Sequence, residues 1–135
     1  MANKVAQEAV STQPKTSTLV RLCAAAWVVP GLGHLLLGRK WRALILFGSI
    51  LSMFAMGLVM KGEFFSTGSG SYLETLGYFG ELCIGVAMPA ASFFGYAGDP
   101  LFASADYGTA YLVAAGMLNV LAILDTYDIA MGRKR

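Results

Sequence analysis

Residues 43–60 read Ala43-Leu-Ile-Leu-Phe-Gly48-Ser-Ile-Leu-Ser52-Met-Phe-Ala-Met-Gly57-Leu-Val-Met60, a run of 18 residues without Asp, Glu, Lys or Arg. As a helix rising 1.5 Å per residue it covers about 27 Å, close to the hydrocarbon thickness of a bilayer. Directly before it stands Gly38-Arg39-Lys40-Trp41-Arg42, three cations around one tryptophan. That is the chemistry of an interfacial anchor, with the ring and the charged groups at headgroup level. Three further stretches carry no charge: residues 22–38, 82–98 and 108–124, each 17 residues long. Together the four runs predict an all-α fold, a polytopic membrane bundle of about four transmembrane helices. The spans are expected at residues 19–37, 42–60, 76–98 and 108–130. They form one transmembrane domain, 19–132, between a polar tail, 1–18, and a basic tail, 133–135.

Composition agrees. Of 135 residues, 56% are hydrophobic and 13% charged, and the mean hydropathy is +0.61. A water-facing domain carries about 25% charge, so 18 charged side chains are too few for a soluble surface of this size. The net charge of +2 comes from ten scattered basic residues, which excludes the concentrated patch that nucleic-acid binding needs. No nucleic-acid partner is expected. The first twenty residues are polar and mixed, unlike a cleavable leader with its basic start and apolar core. Cys23 and Cys83 lie inside apolar runs without a Cys-x-x-Cys pair, and read as small buried hydrophobes.

Within the first span, Pro30-Gly31-Leu32-Gly33-His34 interrupts the helix. Pro30 lacks an amide donor and the two glycines relax the backbone, so the first helix is expected to break at Pro30-Gly31. It is then either a kinked full span or a short, re-entrant element. Gly48-x-x-x-Ser52 in the second span is a small-residue pair that permits close helix approach. With Ala87, Ala90 and Ala91 it is expected at helix contacts. Residues 61–77 form the one substantial loop, rich in Gly and Ser, while residues 99–107 are short and acidic. Gly132 before three cations closes the last helix.

Four spans place both termini on one side, with Lys4, Lys15, Arg21, Lys61, Arg133, Lys134 and Arg135 opposing Arg39, Lys40 and Arg42. The positive-inside rule then makes both termini cytoplasmic in a multi-pass protein of the cell membrane. It also leaves the densest cationic cluster on the outer side, a conflict. A re-entrant first segment brings that cluster inside but, with the N-terminus kept inside, exports the C-terminal cations.

Polar groups within apolar runs are functional hypotheses by default. Here they are His34, Glu81, Asn119 and Asp125. His34 reads as a hydrogen-bonded packing histidine, with axial ligation of a haem or chlorophyll ring as the alternative cofactor role. Asn119, near mid-span, suits an interhelical hydrogen bond. Asp125 and Asp128 share a helix face and are expected to pair with Arg133, Lys134 or Arg21. A proton or cation site, which Glu81 would join at matching depth, is the alternative. No multi-ligand metal site and no catalytic constellation is evident, and no cofactor follows from the sequence.

Residues 30–39, Pro-Gly-Leu-Gly-His-Leu-Leu-Leu-Gly-Arg, resemble the first part of the TM2-type membrane domain. In that family an apolar helix ends in a Gly-x-Gly-x-His-like turn, and Gly-Arg or Gly-Lys leads into a second helix that ends near an aspartate. Asn119-Val-Leu-Ala-Ile-Leu-Asp125 looks like that ending, displaced by about two extra spans. Leu35-Leu36 stand where the family has an aromatic pair, and the arginine often beside the histidine is absent. The resemblance implies an expanded relative of small bacterial membrane proteins, in which Pro30, Gly31, Gly33, Gly38 and Arg39 shape the turn, and it implies no catalysis.

The leading functional expectation is a non-enzymatic accessory or assembly subunit of a larger membrane complex, embedded in lipid beside other membrane subunits. A small transporter or channel component acting as a homo-oligomer is the second. A cofactor-bearing electron-transfer or photosynthetic subunit using His34 is the third.

Overall fold

A computed structural model describes residues 15–65 and 72–133. The polar tail up to residue 14, the Gly/Ser-rich stretch 66–71 and the last two basic residues lie outside the described residues. The described chain is all-α: α1 (Thr16–Val28), α2 (Leu32–Leu36), α3 (Lys40–Val59), α4 (Tyr72–Leu82), α5 (Ala87–Phe93) and α6 (Ala105–Ala130).

The expectation of four spans needs correction. Two helices, α3 and α6, are long and apolar enough to cross a membrane, and a third crossing requires counting the bent α4–α5 pair as one span. The expected span 76–98 is two short helices set 99° apart. The expected span 19–37 is the 13-residue α1 followed by the five-residue α2. Thirteen residues rise about 20 Å, short of a crossing. An uncharged run fixes the medium around a segment; it does not fix the direction of its backbone. Two glycines do that here. Gly31 (φ 81°) and Gly85 (φ 79°) adopt left-handed conformations that turn the chain. Pro89 sits in the first turn of α5, where a missing amide costs no helical bond.

Helices α3 and α6 run antiparallel. Arg42 at the start of α3 lies 3.9 Å from Asp125 near the end of α6. At the other end a side chain on Gly57 would meet Leu112. Helix α1 begins beside Tyr127 and Met131, reaches Asn119 with the Trp27 carbonyl, and then α2 returns so that Gly33 lies against Thr126. Helix α4 begins beside Asp106 and Thr109 and reaches the same Asn119 with the Cys83 carbonyl. After α5 the Tyr96 hydroxyl donates to Gly62, at 2.8 Å, and the Asp99 amide donates to Lys61, at 3.1 Å. Each broken pair therefore enters and leaves at one end of the bundle. The two hairpins come from opposite ends and touch at their tips, where the Val86 amide donates to Val28 at 3.3 Å.

The two halves repeat one plan in inverted orientation. A helix of 13 or 11 residues is followed by a left-handed glycine (31 or 85) and a helix of five or seven. A second left-handed glycine (38 or 95) then leads toward a helix of 20 or 26. The charges divide between the ends accordingly. Lys15, Arg21, Arg39, Lys40, Arg42 and Arg133 belong to the end where α3 begins and α6 finishes, together with Asp125 and Asp128. Glu63, Glu74, Asp99 and Asp106 belong to the other, with Lys61.

The core follows α6, whose buried positions include Ala105, Gly108, Leu112, Ala115, Asn119, Ala122 and Thr126. These recur at a spacing of three and four, one face of a helix. Gly48 and Ser52 do not join this core, against expectation. Both are exposed, and a side chain added at Gly48 would meet nothing within 4 Å. The closest helix approaches use Gly57, Gly80 and Gly116 instead, while of the three alanines only Ala91 is buried. Gly48→Leu is thus expected to shift the thermal midpoint of the detergent-solubilised protein by no more than a surface substitution does, about 0.5 kcal/mol. A large loss of stability would contradict this placement.

Candidate functional site

Four polar side chains, Glu81, Asn119, His34 and Thr126, are fully buried, in an interior where such groups need partners. They lie along the α6 face at three levels. The middle level is the meeting point of the hairpins. Asn119 Nδ2 donates to the Cys83 carbonyl at 2.7 Å and, at a longer 3.4 Å, to the Trp27 carbonyl. These carbonyls belong to the C-terminal ends of α4 and α1, where helices leave acceptors unpaired. One amide thus caps both half-helices. Its own oxygen, Oδ1, is buried with no hydrogen-bond partner among the described residues.

Toward the acidic end, Glu81 Oε2 accepts the Phe65 amide at 2.8 Å, which pins the chain leaving α3 onto α4. Glu81 Oε1, like Asn119 Oδ1, has no partner among the described residues. Outside it lies an open cavity of about 980 Å³ lined by Glu63, Glu74 and Asp106 among apolar groups. Asp125 does not gather with Glu81, since the two lie toward opposite ends of α6, so the alternative of a carboxylate cluster joining them does not form.

Toward the basic end, His34 is carried into the core by the return of α2. Its Nε2 is 2.9 Å from Asp125 Oδ2, and Arg42 stands 3.9 Å from the same oxygen. Its Nδ1 is 3.2 Å from Thr126 Oγ1, which is also 2.8 Å from the Ala122 carbonyl. The hydroxyl has one proton for two neighbours. When it turns to Ala122, Nδ1–H donates to Oγ1; when it turns to the ring, Nδ1 accepts. In either arrangement Nε2 keeps its contact with the Asp125 carboxylate. Both nitrogens are engaged within the chain, so axial ligation of a haem or chlorophyll ring would require one of these contacts to open. Thr126→Val removes the Nδ1 partner and is expected to cost about 1–3 kcal/mol, whereas Thr126→Ser should stay within about 1 kcal/mol. Thermal unfolding in detergent compares them.

The remaining expected residues fall as follows. Pro30 and Gly31 form the tip of the first hairpin and Gly38 its left-handed exit. Arg39 caps α3 and donates its amide to the His34 carbonyl at 2.9 Å. Asp128 faces Arg133 at 3.6 Å, Asp125 faces His34 and Arg42, and Lys134, also expected as a partner, lies outside the described residues. Thr126, Arg42, Tyr96 and Gly85 belong to these contacts without having been singled out in the sequence. Thr126 had a usable signal: it lies seven residues from Asn119 and therefore on its face.

A family of unknown function, DUF6677, matches residues 21–135. The chain belongs to that family. No curated protein and no solved structure matches it.

Proposed function

We propose that this member of DUF6677 is a non-enzymatic membrane transport unit that passes a small cation, working as an oligomer. The observation that carries the reading is the inverted pair of broken helices meeting on Asn119. Halves of opposite orientation, each contributing an interrupted helix to a central contact, are the arrangement in which transporters build midplane sites. Cation rather than anion passage is supported by the C-terminal, negative ends of α1 and α4 at that contact, by the unpartnered Asn119 Oδ1, and by the carboxylates around the cavity at one mouth. The tips are closed on each other, so passage requires their separation.

The charge division supports a multi-pass location in the cell membrane with both termini cytoplasmic. Six described cations at one end against Lys61 at the other satisfy the positive-inside rule. Two opposed re-entrant hairpins remove the conflict that one alone created. The TM2-type resemblance is supported by the meeting of its two quoted stretches, which the His34–Asp125 bond joins at 2.9 Å across 91 positions.

Reconstitution of the full chain into vesicles with potassium, sodium and proton-sensitive dyes tests the reading. Cation flux that is lost in Asn119→Leu is expected. Vesicles no leakier than empty ones to all three ions would overturn it. The second reading, an assembly subunit of a larger complex, rests on a different observation. Among the described residues α3 and α6 are the two single helices long and apolar enough to cross, and two such spans are few to shield two irregular tips that cannot face lipid. A stoichiometric membrane partner retained in mild detergent, with no flux, would favour it.

A further inference from the structure

We propose that the groove between the first hairpin and the opening turns of α3 binds one acyl chain of an anionic phospholipid, whose phosphate rests on Lys40. The groove encloses about 440 Å³ and is lined by Val29, Pro30, Leu32, Leu35, Leu44 and Phe47, with Lys40 as its one charged group. Its volume is in the range of ligand pockets. Its axis is what selects a lipid. Lys40 stands at the basic end, and Phe47, two helical turns or about 10 Å further along α3, stands toward the tip of the hairpin. In a bilayer the charge lies at headgroup depth and the apolar walls lie beside the tails. A phospholipid presents its groups in that order.

Charge complementarity separates this occupant from a second copy of the chain. Neither Arg39 nor Lys40 takes part in an ion pair among the described residues. The described residues of a parallel copy bring no spare carboxylate to this level: Asp125 faces His34 and Arg42, Asp128 faces Arg133, and the other described carboxylates outside the core lie at the far end. A phosphate supplies the missing anion. Trp41, 78% exposed, adds the ring that interfaces favour, and α3 begins without a side-chain cap, so its first amides face the same level.

The test uses the full-length protein in neutral detergent. Bound lipids are counted by native mass spectrometry after titration with phosphatidylglycerol or phosphatidylcholine of identical chains. One phosphatidylglycerol should be retained, about fivefold more tightly than phosphatidylcholine, the increment of one lysine at an anionic surface. Lys40→Gln should erase that difference and leave phosphatidylcholine binding unchanged. Leu44→Trp, at a position 61% exposed, should fill the groove and abolish both. Lys40 is exposed, so Lys40→Gln decides the matter even where the tryptophan variant fails to fold. Equal affinity for the two lipids, or a preference that survives Lys40→Gln, overturns the proposal. So does competition by glycerol phosphate at the concentration of the lipid, which would make this a free-phosphate site. A dimer dispersed by Leu44→Trp would assign the groove to a second copy.

Discussion

Gly85→Val leaves little folded protein to recover. Gly85 holds φ at 79°, and a side chain there would run into the Trp27 carbonyl of the opposing hairpin. The left-handed conformation costs a branched residue about 1–2 kcal/mol, and overpacking a closed contact adds about 1–3 kcal/mol. The sum of about 2–5 kcal/mol is a large share of a total stability of about 5–15 kcal/mol and consumes the whole of it at the lower end. Gly31→Val should behave alike, because its Cβ would stand 2.7 Å from the Ala43 carbonyl oxygen. Gly38 and Gly95 provide the control. They share the positive φ, but an added Cβ meets nothing within 4 Å, so Gly38→Ala and Gly95→Ala carry the backbone cost alone. Yield and circular-dichroism melting in detergent rank the four. Equal losses across the set would mean that Gly85 does not press on the opposing hairpin, nor Gly31 on α3.

Asn119→Leu is expected to cost about 2–5 kcal/mol although both side chains branch at Cγ into two heavy atoms. Leucine leaves the Cys83 and Trp27 carbonyls without the donor that caps them, and a buried acceptor stripped of its partner costs about 1–3 kcal/mol. Asn119→Asp retains an oxygen at the position of Oδ1 and loses the amide donor. It should therefore also fall in stability, which separates capping from any service that the oxygen performs. Melting of both variants beside the parent gives the answer. An Asn119→Asp protein as stable as the parent would show that the carbonyls do not depend on this side chain.

The all-helical class was legible from the four uncharged runs, because a bilayer selects helices by apolar length. The break at Pro30-Gly31 was legible too, since proline removes a donor wherever it stands inside a helix. The second break was not. Gly85 lacks a proline beside it, and the group that closes against it, the Trp27 carbonyl, stands 58 positions earlier. Gly48-x-x-x-Ser52 misled for the same reason: a small side chain permits an approach without causing one, and here α3 turns other residues inward. The polar contacts were half visible. His34, Glu81, Asn119 and Asp125 stood out as costly in apolar surroundings. Thr126 did not, because a threonine returns its proton to the Ala122 carbonyl and passes as an ordinary helix residue. The α6 stripe of Ala105, Gly108, Leu112, Ala115, Asn119, Ala122 and Thr126 was written in the sequence as a three-four repeat, masked by equally apolar residues on the other faces.

The dependence of both hairpin tips on Asn119 also sets an order of events during synthesis. Helix α6 is the last of the six described helices to be made, and its 26 residues take roughly 1–5 s to polymerise at ordinary elongation rates. Until residue 119 emerges, α1 and α4 end in carbonyls that no side chain caps. The nascent protein must therefore wait with both half-helices unlocked, exposed to insertases and quality-control proteases, and it closes from its last helix backward. A ribosome stalled just before α6 would hold a chain with every earlier described helix already made and without the side chain that caps two of them.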